Sequence, residues 1–212
     1  MKMVILKISV ILFFIGMILM NYLANSLPLN GVSTGQISAR YNTMFTPAGV
    51  TFSIWGLIYI LLAVFVVIFV MSDGSNIPNM ELLGILFLVS CVFNVAWLFT
   101  WHFDKIILSV IVMVLFLLTL LAILKFVKPT GLSNAAFSVY AGWVSVALIA
   151  NISILLFKYD ISIFMSNEKL WLYVILGVSL LIGGYMVVFQ KNYYYGAVFI
   201  WAYIGIAIRY LG

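Results

Sequence analysis

The sequence predicts an all-α polytopic membrane bundle of seven helices, and three observations carry that prediction. Hydrophobic residues make up 67% of the chain and charged residues 7%, whereas a soluble domain carries roughly 25% charged residues. Mean hydropathy is +1.29. Apolar runs near the roughly 20 residues that a helix needs to cross a hydrocarbon core recur along the whole chain, and no polar stretch between them is long enough to fold separately.

The first span is expected over residues 4–25. Lys2 and Lys7 precede an apolar run longer than the core of a signal peptide, so a retained helix is favoured over cleavage near Ala24. A polar-leaning insert follows at about residues 26–46. The second span, 47–71, begins within FTPAGVTFSIWGLIY and sets Phe52, Trp55 and Tyr59 at i, i+3 and i+7, on one helix face. Ser72 to Pro78 is rich in turn formers and closes it. The third span, 81–101, repeats the spacing with Asn94, Trp97 and Trp101, and ends at His102-Phe103-Asp104-Lys105. The fourth, 106–127, stops at Lys128-Pro129-Thr130-Gly131; the fifth, 134–157, continues the pattern with Tyr140, Trp143, Ala147 and Asn151. The sixth and seventh, 169–190 and 194–211, are joined by a tight hinge at Lys191 and Asn192 and so form an antiparallel pair, with Gly183-Gly184 permitting close backbone approach.

Several function classes are excluded. The net charge of +5 comes from Lys and Arg scattered singly at span ends, which anchors helices to headgroups and leaves no nucleic-acid footprint. Cys91 sits alone in an apolar run and reads as a small buried hydrophobe. No ionisable group lies mid-span, as ion-driven transport usually requires, and residues 194–211 contain no lysine for a retinal Schiff base. His102, the single histidine, is read as a helix-end residue that caps or touches headgroups, in preference to a haem or metal ligand. No zinc-protease, nucleophile-elbow, phosphate-loop or paired-cysteine motif occurs, so no catalytic residue is assigned. Basic residues divide evenly between the two sides; the weight of the first helix then puts the N-terminus in the cytoplasm and the C-terminus outside. A multi-pass protein of a prokaryotic cell membrane is expected.

What remains is the aromatic and amide stripes. A carboxamide in hydrocarbon costs several kcal/mol unless it is paired. Asn94 and Asn151 therefore either bond across helices or face a ligand. Trp101 and Tyr193 to Tyr195 are expected in the interfacial belt, whereas Trp55, Trp97 and Trp143 lie deeper and need an internal role.

Phe45, Pro47, Ala48, Phe52, Ile54, Trp55 and Tyr59 together resemble the second-helix signature of the TspO/MBR family, the tryptophan-rich sensory proteins related to the peripheral benzodiazepine receptor. Phe93, Asn94 and Trp97 resemble its third-helix motif, and Tyr140, Trp143, Val144, Ala147 and Asn151 its fifth-helix motif, in the family's order. The chain departs from the pattern at Ala48, Val139, Val146 and Ala150, and at Val50, where a family tryptophan is missing. The resemblance implies a five-helix domain over residues 1–157, with 158–212 an added helix pair packed on the same bundle.

It further implies a pocket between helices for a hydrophobic, flat ligand, porphyrin- or haem-like or lipid- or sterol-like. Phe52, Trp55, Tyr59, Asn94, Trp97, Tyr140, Trp143 and Asn151 would surround it, with Ala147 leaving room. The loop carrying Arg40, Phe45 and Pro47 would be its lid, and Arg40 could pair with a ligand propionate. No cofactor is required, porphyrin or haem entering as ligand. A homodimer is a family association that the added helices could cover or replace. The leading reading is ligand binding with a sensory or transport role; the rivals are photo-oxidative porphyrin breakdown and pure packing without ligand.

Overall fold

The computed structural model describes residues 1–27, 29–41, 43–74, 77, 79–161 and 167–211. Among them the regular elements are all helical: α1 (Lys2–Ser26), α2 (Thr34–Tyr41), α3 (Ile54–Met71), α4 (Met80–His102), α5 (Ile106–Leu124), α6 (Leu132–Lys158), α7 (Glu168–Val188) and α8 (Tyr193–Leu211), with 3-10 turns at Leu29–Gly31 and Gly49–Ser53. Seven are long and apolar enough to cross a membrane, the Gly49–Ser53 turn being continuous with α3. The protein is an integral, multi-pass membrane protein. Of the expected turn after the second span, Ser75, Asn76 and Pro78 lie outside the described residues, as do Pro28 and Asn42 of the expected lid.

The helix α2 falls inside the insert read from sequence as loop. A reciprocal cap starts it: the Gln36 amide donates to Ser33 Oγ at 3.3 Å and the Ser33 amide donates to Gln36 Oε1 at 2.8 Å.

Helices α1, α3, α6, α5 and α4 close a ring, each packing on the next and α4 returning to α1. The parallel pair α1 and α4 is in register, with Leu6 beside Gly84, Phe14 beside Phe87 and Asn21 beside Asn94. Half of the ring, towards the N-terminal end of α1, is filled by phenylalanine: Phe65 lies 4.6 Å from Phe137 and 5.1 Å from Phe87 between ring centroids, and Phe69 meets Phe65 at a tilt, 5.8 Å away. The other half holds Trp55, Trp97, Trp101 and Trp143.

Outside the ring, α8 packs on α6 and α7 packs on α8. The antiparallel pairing expected for the last two spans is present, with Ser179 opposite Tyr203, Gly183 opposite Phe199 and Val187 opposite Gly196. The expected glycine pair is only half right. A Cβ on Gly184 would meet nothing, whereas one on Gly196 would come within 2.2 Å of Val187, so Gly183 and Gly196 make the close approach. Tyr193 and Tyr194 are exposed as belt residues should be; Tyr195 instead is buried and shares a 2.6 Å hydrogen bond with Ser145 of α6.

Candidate ligand-binding site

The site lies at the end of the ring under the segment between α1 and α3, and that segment is pinned from two directions. Its first half is held by α4: Trp101 Nε1 donates to the Thr34 carbonyl at 3.2 Å, and Asn30 Nδ2 donates to the His102 carbonyl at 3.1 Å. Trp101 and His102 are therefore covered by the lid and nearly fully buried, not placed among headgroups as expected. The His102 ring is turned back on its own helix, Nδ1 lying 2.8 Å from the Leu98 carbonyl. The Tyr41 hydroxyl donates to Asp104, whose other oxygen receives Lys158 Nζ at 2.7 Å. Burial pushes the Tyr41 phenol up, and its bond to Asp104 adds to that. Burial alone would raise the Asp104 carboxyl too, but the hydrogen bonds from Lys158 and Tyr41 and the nearby charges of Lys158 and Arg40 hold it below the usual carboxylate range.

The second half of the segment is held by α8. Ala48 donates its amide to the Gly205 carbonyl at 2.9 Å, and Trp201 Nε1 donates to the Thr51 carbonyl at 2.9 Å. Arg209 Nη1 reaches the Thr43 and Thr46 carbonyls at 3.2 and 2.6 Å, and the Tyr210 hydroxyl donates to the Met44 carbonyl at 2.8 Å. The last helix thus fixes the chain that leads into the 3-10 turn carrying Phe52.

Beneath the lid, Trp55 is the hub of an aromatic cluster. Its ring stacks on Tyr59 at 5.8 Å and on Trp97 at 6.1 Å, and meets Tyr140 and Trp143 edge-on at 6.0 and 6.4 Å. Phe52 meets Trp143 edge-on at 5.9 Å. Offset and edge-to-face contacts of this kind are the favoured aromatic geometries. The three stripes read from sequence do converge.

Two cavities adjoin the cluster. A cleft of about 670 Å³ between α1 and α3 is walled by Phe52, Trp55, Tyr59 and Trp97 on one side and by Asn21 and Asn25 of α1 on the other. That volume suits a drug-sized or cofactor-sized molecule. Behind Phe52, Trp55 and Trp97 lies a second space of about 40 Å³, closed by Pro47, Trp143, Ala147 and Asn151, large enough for ordered water or one small polar group. Four buried polar atoms have no hydrogen-bond partner and belong to side chains on this inner wall: Thr34 Oγ1, Trp97 Nε1, Trp143 Nε1 and Asn151 Oδ1. Buried polar groups are nearly always satisfied, so four together ask for a visitor.

Not every expected site residue faces these spaces. Asn94 and Tyr140 are fully buried and line neither. Asn21 Nδ2 donates to Asn94 Oδ1 at 2.6 Å, Asn94 Nδ2 donates to the Tyr140 hydroxyl at 2.9 Å, and that hydroxyl lies 3.8 Å from Met17 Sδ. The relay ties α1, α4 and α6 together. Asn151 does both tasks: its Nδ2 donates to Ser109 Oγ of α5 at 2.7 Å while its oxygen is left over. In the lid, Pro47 lines the inner space, Phe45 is buried away from both, and Arg40 is exposed and lines neither. Val50, where the family tryptophan is missing, is 56% exposed and points away; Gly49 lines the cleft. The α1 wall and Thr34 went unread in the sequence, where isolated Asn and Thr residues carry no periodic signal.

No curated protein and no solved structure matches the chain significantly. The sequence profile of the TSPO-like protein family matches residues 7–211, a stretch that takes in most of the first membrane span and all of the other six, the last two included. With the three motifs converging on one site inside a ring of five helices, this chain belongs to the TSPO-like protein family.

Proposed function

We propose that the protein binds a hydrophobic planar ligand, porphyrin- or haem-like or lipid- or sterol-like, between its helices, and that binding serves sensing or transport. The observation that carries this reading is the set of four unpartnered polar atoms behind an aromatic wall. An aromatic face accepts a flat conjugated or fused-ring body by stacking, and unpaired indole N–H groups are satisfied by an acceptor on its edge. The protein's own side chains leave the Trp97 and Trp143 donors without an acceptor, which an ordered water or the edge of a ligand supplies.

The test is a dark titration of detergent-purified protein with protoporphyrin IX, followed by tryptophan fluorescence. Saturable quenching is expected, and Trp143→Phe, which removes the indole donor and keeps a ring, should weaken it about tenfold, the effect of one lost hydrogen bond to a buried partner. Absence of saturable quenching by protoporphyrin IX and by its uncharged dimethyl ester alike would sink the reading. One observation favours the photo-oxidative alternative: Trp101, Trp97, Trp55 and Tyr59 form a continuous stack with centroid steps of 6.0, 6.1 and 5.8 Å. Repeating the titration under illumination separates the two, since ligand binding alone leaves the porphyrin spectrum intact and breakdown bleaches it.

A further inference from the structure

From the charge inventory of the two cavities we infer that the ligand is uncharged: a flat amphipath whose polar groups are hydroxyl, carbonyl or ester, not carboxylate. The inference rests on the proposed binding function and narrows its ligand class. No Lys, Arg, His, Asp or Glu lines either cavity, and Pro28 and Asn42, the lid residues outside the described set, carry no charge either. The polar lining is neutral throughout, made of amides, hydroxyls and indoles, among them Asn21, Asn25, Ser33, Thr34, Asn151 and Trp97.

The groups that await a partner are matched to a neutral visitor. Thr34 and Trp97 border both cavities, Thr34 being 7% and Trp97 5% exposed, and the hydroxyl of one and the N–H of the other are unpartnered. A ligand carbonyl or hydroxyl answers both. A carboxylate would accept the same two bonds, yet it would bring a full charge into an apolar wall that holds no countercharge, and desolvation of an unpaired ion outweighs neutral hydrogen bonds. The first turn of α2 offers an anion only a partial positive charge, and its Gln36 amide is already capped by Ser33. Arg40, the cation nearest the lid helix's end, is exposed and lines neither cavity, and Lys158 is engaged by Asp104.

The experiment compares protoporphyrin IX with its dimethyl ester, one ring system with two carboxylates present or masked, by tryptophan quenching in a neutral detergent. Wild-type protein should bind the ester at least about tenfold more tightly, as expected when an unpaired charge must be desolvated. Gly35→Arg then supplies a cation. Gly35 lines the cleft, and a Cβ there meets no atom within 4 Å, so the site takes a side chain. The ratio of the two affinities should shift towards the diacid by about tenfold in Gly35→Arg, the size of a charge-assisted hydrogen bond, and stay unchanged in Gly35→Gln. Because the same two ligands are compared throughout, partition into micelles cancels from that shift. Equal affinities, or tighter binding of the diacid by wild type, overturn the inference while leaving the binding function standing. Saturable quenching by neither ligand overturns both.

Discussion

Trp55 touches Tyr59, Trp97, Tyr140 and Trp143, so its removal opens the partition between the two cavities and unpacks the cluster at once. Trp55→Ala should lower stability by about 3 kcal/mol, the low end for buried aromatics because its ring is half-buried, and should abolish saturable ligand quenching. Asn94 presents the opposite case. Asn94→Ala takes a partner from the Tyr140 hydroxyl and from the Asn21 amide, which keeps its bond to the Met17 carbonyl, and should cost about 1–3 kcal/mol, read as a lower thermal midpoint in detergent, while ligand affinity stays within about twofold because Asn94 and Tyr140 lie behind the wall and Asn21 is still held on its own helix. A large loss of affinity with no loss of stability would reverse that assignment. Helix spacing put Asn94, Trp97, Tyr140, Trp143 and Asn151 on inward faces, and that much was legible. Which inward residue meets a cavity and which meets another helix was not, because periodicity fixes a direction and says nothing of what stands opposite. Asn21, a lone amide in an apolar run, decides the matter for Asn94.

Among the elements, α8 carries the most consequence for the site. Gly205 lies where a Cβ would sit 2.0 Å from Thr51 Oγ1 and 2.7 Å from its Cγ2, and Thr51 is fully buried. Gly205→Ala should therefore push the Gly49–Ser53 turn, lower stability by about 1–3 kcal/mol as overpacking does, and weaken ligand quenching through Phe52. Unchanged quenching in a folded variant would show that α8 and the wall move independently. Spans and the antiparallel last pair were legible from hydropathy and loop length. The clamp was not, since its contacts with residues 43–51 are 150 or more positions apart in sequence and fall largely on backbone carbonyls, which leave no pattern of side chains. On the other side of the lid, the Tyr41–Asp104–Lys158 cluster makes the lid sensitive to acid. The Asp104 carboxyl is held below its usual range, so its contribution is complete above the unfolded value near 3.9 and is lost as pH falls through the lower folded value. With the Asp104 side chain 40% exposed, solvent screening limits that contribution to about 0.5–1 kcal/mol. Asp104→Asn should be less stable than wild type near neutral pH, and the gap in thermal midpoint should close as pH is lowered beneath the usual carboxylate range and through the depressed folded value.

At the scale of the whole molecule, seven spans put the two chain ends on opposite faces. Cys91 is 2% exposed, so wild type should resist a membrane-impermeant maleimide, and cysteines introduced as Lys2→Cys and Leu211→Cys should react from opposite sides of sealed vesicles. The expected assignment is Lys2→Cys on the cytoplasmic side; labelling of both from one side would break the topology. The family, the helix count and the ring's aromatic face were all carried by local sequence. The neutrality of the cleft emerged only when the lid and α1 closed around it. One consequence concerns traffic. With phenylalanines interlocked across the far half of the ring, Phe65, Phe87 and Phe137 all being at most 1% exposed, the bundle is a cul-de-sac and not a conduit. Anything that enters beside Trp55 leaves by the same mouth or sideways between α1 and α3, so carriage from one leaflet to the other would need this stopper to part.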